Sequence, residues 1–175
     1  PLVVERASGV YLYTECGKKI IDAVSSWWVN LHGHANPYIA EKVSEQLYNL
    51  EHVIYAGFTH KPSIELAERL LKILPENQSK IFYSDNGSTA VEVAIKLALQ
   101  YWYNKGTPKS KIIAIDGAYH GDTFGAMSVG ERSIFTKPFF RFLFDVEFIP
   151  FPQGTHDQEV ITLFNSICQN GDVAA

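Results

Sequence analysis

The sequence predicts an α/β fold, with a mostly parallel sheet and flanking helices, preceded by an N-terminal β-hairpin. Three observations carry this expectation. Short apolar runs at KIFYS (80–84), KIIAID (111–116) and VEFIPF (146–151) are separated by helical patterns. Strands that alternate with helices form parallel sheets. Ahead of them, residues 10–24 read VYLYTE, a Glu15-Cys16-Gly17-Lys18 turn, then KIIDAV, which is a hairpin pattern. The composition, 46% hydrophobic and 19% charged in 175 residues, supports a buried core.

After the hairpin, Asn36 is a good N-cap and Pro37 suits the first helical position. Apolar residues then recur at Ile39, Val43, Leu47 and Leu50, which predicts a helix up to Leu50. A second helix is expected from Pro62 to Leu74, stopped by Pro75. Gly87–Asn104 reads as a long helix, apolar nearly all round, with Glu92, Lys96 and Gln100 confined to one i, i+4, i+8 band. Such a helix is expected to be wedged into the protein, its N-terminus facing an interior cleft. Asp157–Asn170 is amphipathic and Gly171 follows as a C′ residue. The chain then reaches Asp172-Val173-Ala174-Ala175, where the alternation calls for another strand.

Fifteen basic against 19 acidic residues give a net charge of −4, which argues against a general nucleic-acid or membrane-surface binder. No apolar run approaches the roughly 18 residues needed to cross a bilayer, and no secretory leader is expected from PLVVERASG. Cys16 and Cys168 form no C-x-x-C pair, and two free thiols in a reducing, cytoplasmic compartment are the plain expectation.

Ligands of parallel α/β sheets sit outside the carboxyl ends of the strands. The loop after residue 84 runs Ser84-Asp85-Asn86-Gly87-Ser88-Thr89 into a long helix. Free backbone N–H groups and two hydroxyls at that helix start suit a phosphate, although Ser88 or Asn86 acting as a simple cap explains the pattern equally well. Neither G-x-G-x-x-G nor G-x-x-x-x-G-K-[ST] is present, so the phosphate would not belong to a standard nucleotide loop. After residue 116 comes Gly117-Ala118-Tyr119-His120-Gly121-Asp122-Thr123-Phe124-Gly125, with three glycines at spacing four. These let backbone approach a ligand closely, and Tyr119 offers a flat stacking face. His120 and Asp122 are candidate acid–base groups, a structural hydrogen bond for His120 being the competing reading.

The third stretch is Ser25-Ser26-Trp27-Trp28-Val29-Asn30-Leu31-His32-Gly33-His34. If extended, it points Trp27 and Trp28 opposite ways, one to the core and one to a pocket. His32 and His34 lack a third metal ligand at a sensible spacing, so no metal is expected. Six of the eleven phenylalanines fall in FFRFLFDVEFIPF (139–151), either a partner surface or a segment packed on the sheet. There is no G-x-S-x-G, no H-E-x-x-H and no cysteine beside a plausible base.

Taken together, SDNGSTAVEVAIKLA and AYHGDTFGAMS resemble the phosphate-cup turn and the ring-stacking loop of class III, fold type I aminotransferases, which use pyridoxal 5′-phosphate. Thr89, Ser25-Ser26-Trp27-Trp28, Ala56-Gly57-Phe58-Thr59-His60 and Tyr119-His120-Gly121-Asp122 resemble the branch of that family that aminates 8-amino-7-oxononanoate in biotin synthesis, usually with S-adenosylmethionine as donor. The resemblance implies that Gly87, Ser88 and Thr89 hold the cofactor phosphate and that Tyr119 stacks near the ring and touches substrate. Trp27 would line the pocket for the apolar substrate chain, and Asp122 would fix polar groups nearby. It implies residues 1–35 as a segment of the small domain, 36–175 as the first part of the large cofactor-binding domain, and a homodimer. No lysine here stands in the family's Schiff-base motif, so the chain is expected to be roughly the first half of such an enzyme and inactive alone. Another class III ω-aminotransferase and a non-catalytic truncated module are the alternatives.

Overall fold

The computed structural model describes residues 1–175, which divide into two compact units, Pro1–Lys80 and Ile81–Ala175.

The first unit begins with a three-stranded antiparallel sheet in the order β1 (Val4–Ser8), β2 (Tyr11–Thr14), β3 (Lys19–Ile21). The expected hairpin is β2–β3, turned by Gly17 at φ +82° and tied by Lys18 N–H donating to Thr14 Oγ1 at 3.0 Å. Strand β1 carries no alternating apolar pattern, four of its five residues being exposed, and finds its place through pairing with β2 alone. Gly9, between β1 and β2, exchanges two backbone hydrogen bonds with His34, at 3.0 and 2.8 Å. A Cβ on Gly33 would come within 3.1 Å of Gly9 Cα, so the two backbones meet because Gly33 has no side chain.

Residues 25–28 form a single turn, α1 (Ser25–Trp28), and it is not the extended segment the sequence suggested. All four φ values are positive, from 48° to 68°, so the turn is left-handed. Trp27 and Trp28 both remain largely exposed, at 77% and 73%. The other helices of this unit are α2 (Pro37–Asn49) and α3 (Lys61–Leu71). Asn36 caps α2 as expected, its Oδ1 accepting from Ile39 N–H at 3.2 Å. Helix α3 ends before Leu74 because the N–H groups of Ile73 and Leu74 both return to Leu70 C=O, which tightens the chain ahead of Pro75.

The second unit is built on the parallel pair β4 (Ile113–Ile115) and β5 (Glu147–Ile149). On the other edge of β4, the end of the chain runs parallel to it. Lys111 N–H donates to Asp172 C=O, Ala174 N–H to Lys111 C=O and Ile113 N–H to Ala175 C=O. Where the sequence calls for a further strand, residues 172–175 pair with this edge through an isolated bridge at Val173. By contrast, KIFYS (80–84) is not a strand: it lies beside no ladder partner, and an apolar run without one has nothing to hold it in a sheet.

Helix α4 (Gly87–Asn104) covers the sheet with Val91, Ile95 and Leu99, packed on Ile112, Ala114 and Val129. Its other sides are not wedged inside this unit: Leu97, Tyr101 and Tyr103 are more than half exposed. A short buried helix, α5 (Phe124–Ser128), and a 3-10 helix, Lys137–Phe142, carry the chain to β5. Phe124 meets Phe139 and Phe142 edge-on at 6.1 Å, and buried Ser128 Oγ accepts from Phe144 N–H at 3.2 Å. The aromatic segment is therefore tied to α5 while its rings stay partly exposed. Helix α6 (Asp157–Gln169) closes with Gly171 at φ +74°, as the sequence indicated. No helix is long and apolar enough to cross a membrane.

Candidate functional site

The site is assembled at the start of α4. Asn86 Oδ1 accepts from Thr89 N–H at 3.0 Å, and Thr89 Oγ1 accepts in return from Asn86 N–H at 3.2 Å. This reciprocal pair satisfies two of the donors that every helix start leaves over. Thr89 Oγ1 also donates to Asn86 C=O and accepts from Ser84 Oγ. Gly87 and Ser88, at the first two helical positions, have no carbonyl behind them for their N–H groups. The first turn bears no acidic residue. The helix therefore presents two N–H groups, the Ser88 hydroxyl and an uncompensated dipole end, the arrangement that receives a phosphate.

The loop after β4 closes onto this turn. Gly117 leaves the strand at φ +77° and Gly121 turns at φ +121°. A Cβ on Gly121 would fall on Ser88 Oγ and lie 2.7 Å from Ser88 Cβ, so the loop backbone rests directly against the helix start. Four residues further along each element the contact repeats. Glu92 Oε1 accepts from the N–H of Gly125 at 2.7 Å and of Ala126 at 3.3 Å, and a Cβ on Gly125 would collide with the carboxylate. Two of the three glycines at spacing four thus serve the docking of Ser88 and Glu92. The loop is also sewn back on itself by Glu131 N–H donating to Ala118 C=O at 2.7 Å.

Tyr119 is 73% exposed, its ring free to take a flat partner. Its hydroxyl donates to Asp122 Oδ2 at 2.9 Å, and that hydrogen bond to a carboxylate pushes the phenol pKa above its usual value. The phenol therefore stays protonated and Asp122 is committed to accepting. His120 has no hydrogen-bond partner, so the structure does not give it the backbone hydrogen bond that the sequence allowed. It lies at a cavity of about 670 Å³ walled by Val91, Ile95, Ala114, Val129 and Phe151. That cavity is the open flank of the core, nearly all apolar, and unsuited to a dianion.

Trp27 belongs to the N-terminal unit. Its left-handed turn is clamped by Asp22, whose Oδ2 accepts from Ser26 Oγ at 2.7 Å and lies 2.8 Å from His34 Nε2. The Ser26 backbone N–H, then its hydroxyl, then His34 hold the Asp22 carboxyl down at about 2. His34 is thus engaged by a carboxylate.

Sequence reasoning did not single out Glu92 or Asp22 for these roles. For Glu92 the signal was available: Ser88 and Glu92 stand one turn apart on α4, and Gly121 and Gly125 share that spacing.

Comparison with known proteins gives this geometry a family. The family model "Aminotransferase class-III" matches residues 1–175. The chain belongs to the class III aminotransferases. It is 57% identical over 161 residues to the adenosylmethionine-8-amino-7-oxononanoate aminotransferase of Synechococcus elongatus, covering 92% of this chain and 38% of that protein. The crystal structure of the like-named enzyme from Methanocaldococcus jannaschii superposes with a TM-score of 0.82 at 42% identity, over 87% of this chain and 35% of that one. An amine transaminase from an uncultivated Pseudomonas species, solved in its PLP-bound form, superposes over the whole chain with a TM-score of 0.88 at 26% identity, covering 43% of that chain. The chain thus spans 35–43% of the length of these relatives, and the fold is that of the PLP transaminases.

Proposed function

We propose that the intact protein is a pyridoxal-phosphate-dependent aminotransferase of biotin synthesis, moving an amino group from S-adenosylmethionine to 8-amino-7-oxononanoate to give 7,8-diaminononanoate. The observation that carries the cofactor assignment is the closure of Gly121 on Ser88, which puts the Tyr119 loop beside a helix start with free N–H groups. The substrates are supported by the names of relatives 37–57% identical to the chain.

In this reading the N–H groups of Gly87 and Ser88 receive the cofactor phosphate, and Thr89, through its cap with Asn86, keeps those N–H groups aimed outward. Tyr119 supplies the stacking face near the ring, and its hydroxyl, held protonated by Asp122, meets substrate. Trp27, carried rigidly on its clamped turn, lines the channel for the apolar substrate chain. Bound pyridoxal phosphate supplies the electron sink through which nitrogen passes between an amine and a ketone. Residues 1–35 would belong to the small domain and 36–175 to the large one. The working protein would be a cytoplasmic homodimer, an assignment that suits its two free cysteines.

The test is turnover by the intact protein with pyridoxal phosphate and 8-amino-7-oxononanoate, each donor offered separately and the product weighed by mass spectrometry. Diaminononanoate formed with S-adenosylmethionine is the expected result. The superposition of the whole chain on part of the amine transaminase is the observation behind a second reading, another class III ω-aminotransferase. Turnover of a simple amine with a keto acid, and none of oxononanoate, would replace the first reading by it.

A further inference from the structure

We propose that Glu92 is a positioning residue: from one turn inside α4 it fixes the Tyr119–Asp122 loop at its working height over the phosphate end of the same helix. This rests on the reading of Gly87–Thr89 as the cofactor phosphate site. Glu92 touches neither ring nor phosphate in that reading and acts through the loop.

The geometry is specific. The loop leaves β4 after Ile115 and enters α5 at Phe124, so its far end is held by whatever holds α5. The first N–H groups of α5 are such a hold, and two of them, of Gly125 and Ala126, converge on the single oxygen Glu92 Oε1. Thr123, which precedes α5, makes no side-chain cap, so the cap comes from another element. A carboxylate is well suited to that place: it accepts two N–H groups at once and meets the positive end of a helix. Gly125 completes the fit, because any side chain there would displace the carboxylate. Gly121 against Ser88 holds the loop two residues after Tyr119, and Gly125 against Glu92 holds its exit into α5, so both contacts that follow the Tyr119 ring lie on one rigid helix.

A residue that merely stabilises the fold would weaken every ligand equally. A residue that seats the loop weakens ligands that use the ring and spares those that use only the helix start. The experiment therefore compares, in the intact enzyme, the affinity for pyridoxal phosphate with that for inorganic phosphate, measured by its competition for the same site, in wild type, Glu92→Ala and Glu92→Gln. The visible circular dichroism of the bound cofactor reports ring seating independently of turnover. For Glu92→Ala we expect about a tenfold loss for pyridoxal phosphate, the scale of a lost charge-assisted cap, with a collapsed dichroism band. Phosphate affinity should stay within about twofold, since its N–H partners on Gly87 and Ser88 are untouched. Glu92→Gln keeps an acceptor oxygen without charge and should fall between the two. It decides the matter by the same ratio if the alanine variant does not fold. Unchanged cofactor affinity and dichroism, or equal losses for both ligands, would overturn the proposal. Wild type that fails to bind pyridoxal phosphate at all would instead overturn the cofactor reading beneath it.

Discussion

Gly121→Ala is the substitution that most directly probes the closure of the loop on the helix. Its effect separates into two parts. The backbone sits at φ +121°, where a residue with a Cβ is strained by about 1–3 kcal/mol. The new Cβ also lands on Ser88 Oγ, 2.7 Å from Ser88 Cβ and 3.0 Å from Ser88 Cα. The hydroxyl could rotate away, but the Cα belongs to a turn pinned by the Asn86–Thr89 pair, so the loop must lift. Overpacking of this kind costs about 1–3 kcal/mol, for a total of about 2–6 kcal/mol. Gly117→Ala is the matched control: φ is +77° and nothing lies within 4 Å of its Cβ position. It should cost only the left-handed backbone, about 1–2 kcal/mol. Urea unfolding of the apo enzyme and titration with pyridoxal phosphate should both separate the two variants. In affinity the excess for Gly121→Ala amounts to roughly a tenfold to hundredfold loss. If the two variants agree within about 0.5 kcal/mol in both assays, the Gly121–Ser88 contact does not exist in solution and the site as described fails with it.

Three further outcomes are expected. Asn86→Ala removes the acceptor for Thr89 N–H and should lower stability by about 1 kcal/mol in thermal melts, with weaker phosphate competition; a Tm equal to wild type would contradict the cap. The Asp22 carboxyl, held down at about 2, should stabilise the N-terminal unit fully above its unfolded-state value of about 3.9, with that contribution lost as the pH falls through about 2. Asp22→Asn should therefore lack this acid-unfolding arm, and an Asp22 carboxyl titrating near 4 by NMR would refute the clamp. Tyr119→Phe should slow turnover about tenfold, the value of a hydrogen bond to a carboxylate, while Trp27→Ala should raise KM for the oxononanoate; normal kinetics in both would remove them from the site.

What the sequence revealed and what it hid follow from how local each signal is. Capped helices were legible because Asn36-Pro37 and Asn86-Gly-Ser-Thr fix their own helix starts through bonds three residues away. The parallel strands at 113–115 and 147–149 were legible as short apolar runs between helices. The run 80–84 carries the same signal, yet a strand is a property of two segments, and none pairs with this one here. Strand β1 fails the other way, an exposed segment recruited purely by pairing. The left-handed turn at Ser25–Trp28 opposes every residue's intrinsic preference, and what offsets it is Asp22, with His34 brought in twelve residues along the chain. Such a contact is invisible to any window of periodicity. The cap on α5 was hidden for the same reason, since Glu92 lies 33 residues before Gly125.

The start of α4 thus combines two tasks that would interfere if one side chain performed both. Asn86 and Thr89 spend their polar atoms on each other and on Ser84. That leaves the Gly87 and Ser88 N–H groups unsatisfied by the protein and free for an anion. Ser88 turns its Cβ side to Gly121, and Glu92, one turn and about 6 Å further along the axis, holds Gly125. The spacing between the Gly121 and Gly125 contacts is then matched to the rise of one helical turn, which no side-chain rotation can alter. A loop tethered only by its own residues would leave that distance to fluctuate. The glycine spacing of four is therefore best understood as the footprint of a helix: the loop lacks side chains at the two places where a turn of α4 must pass.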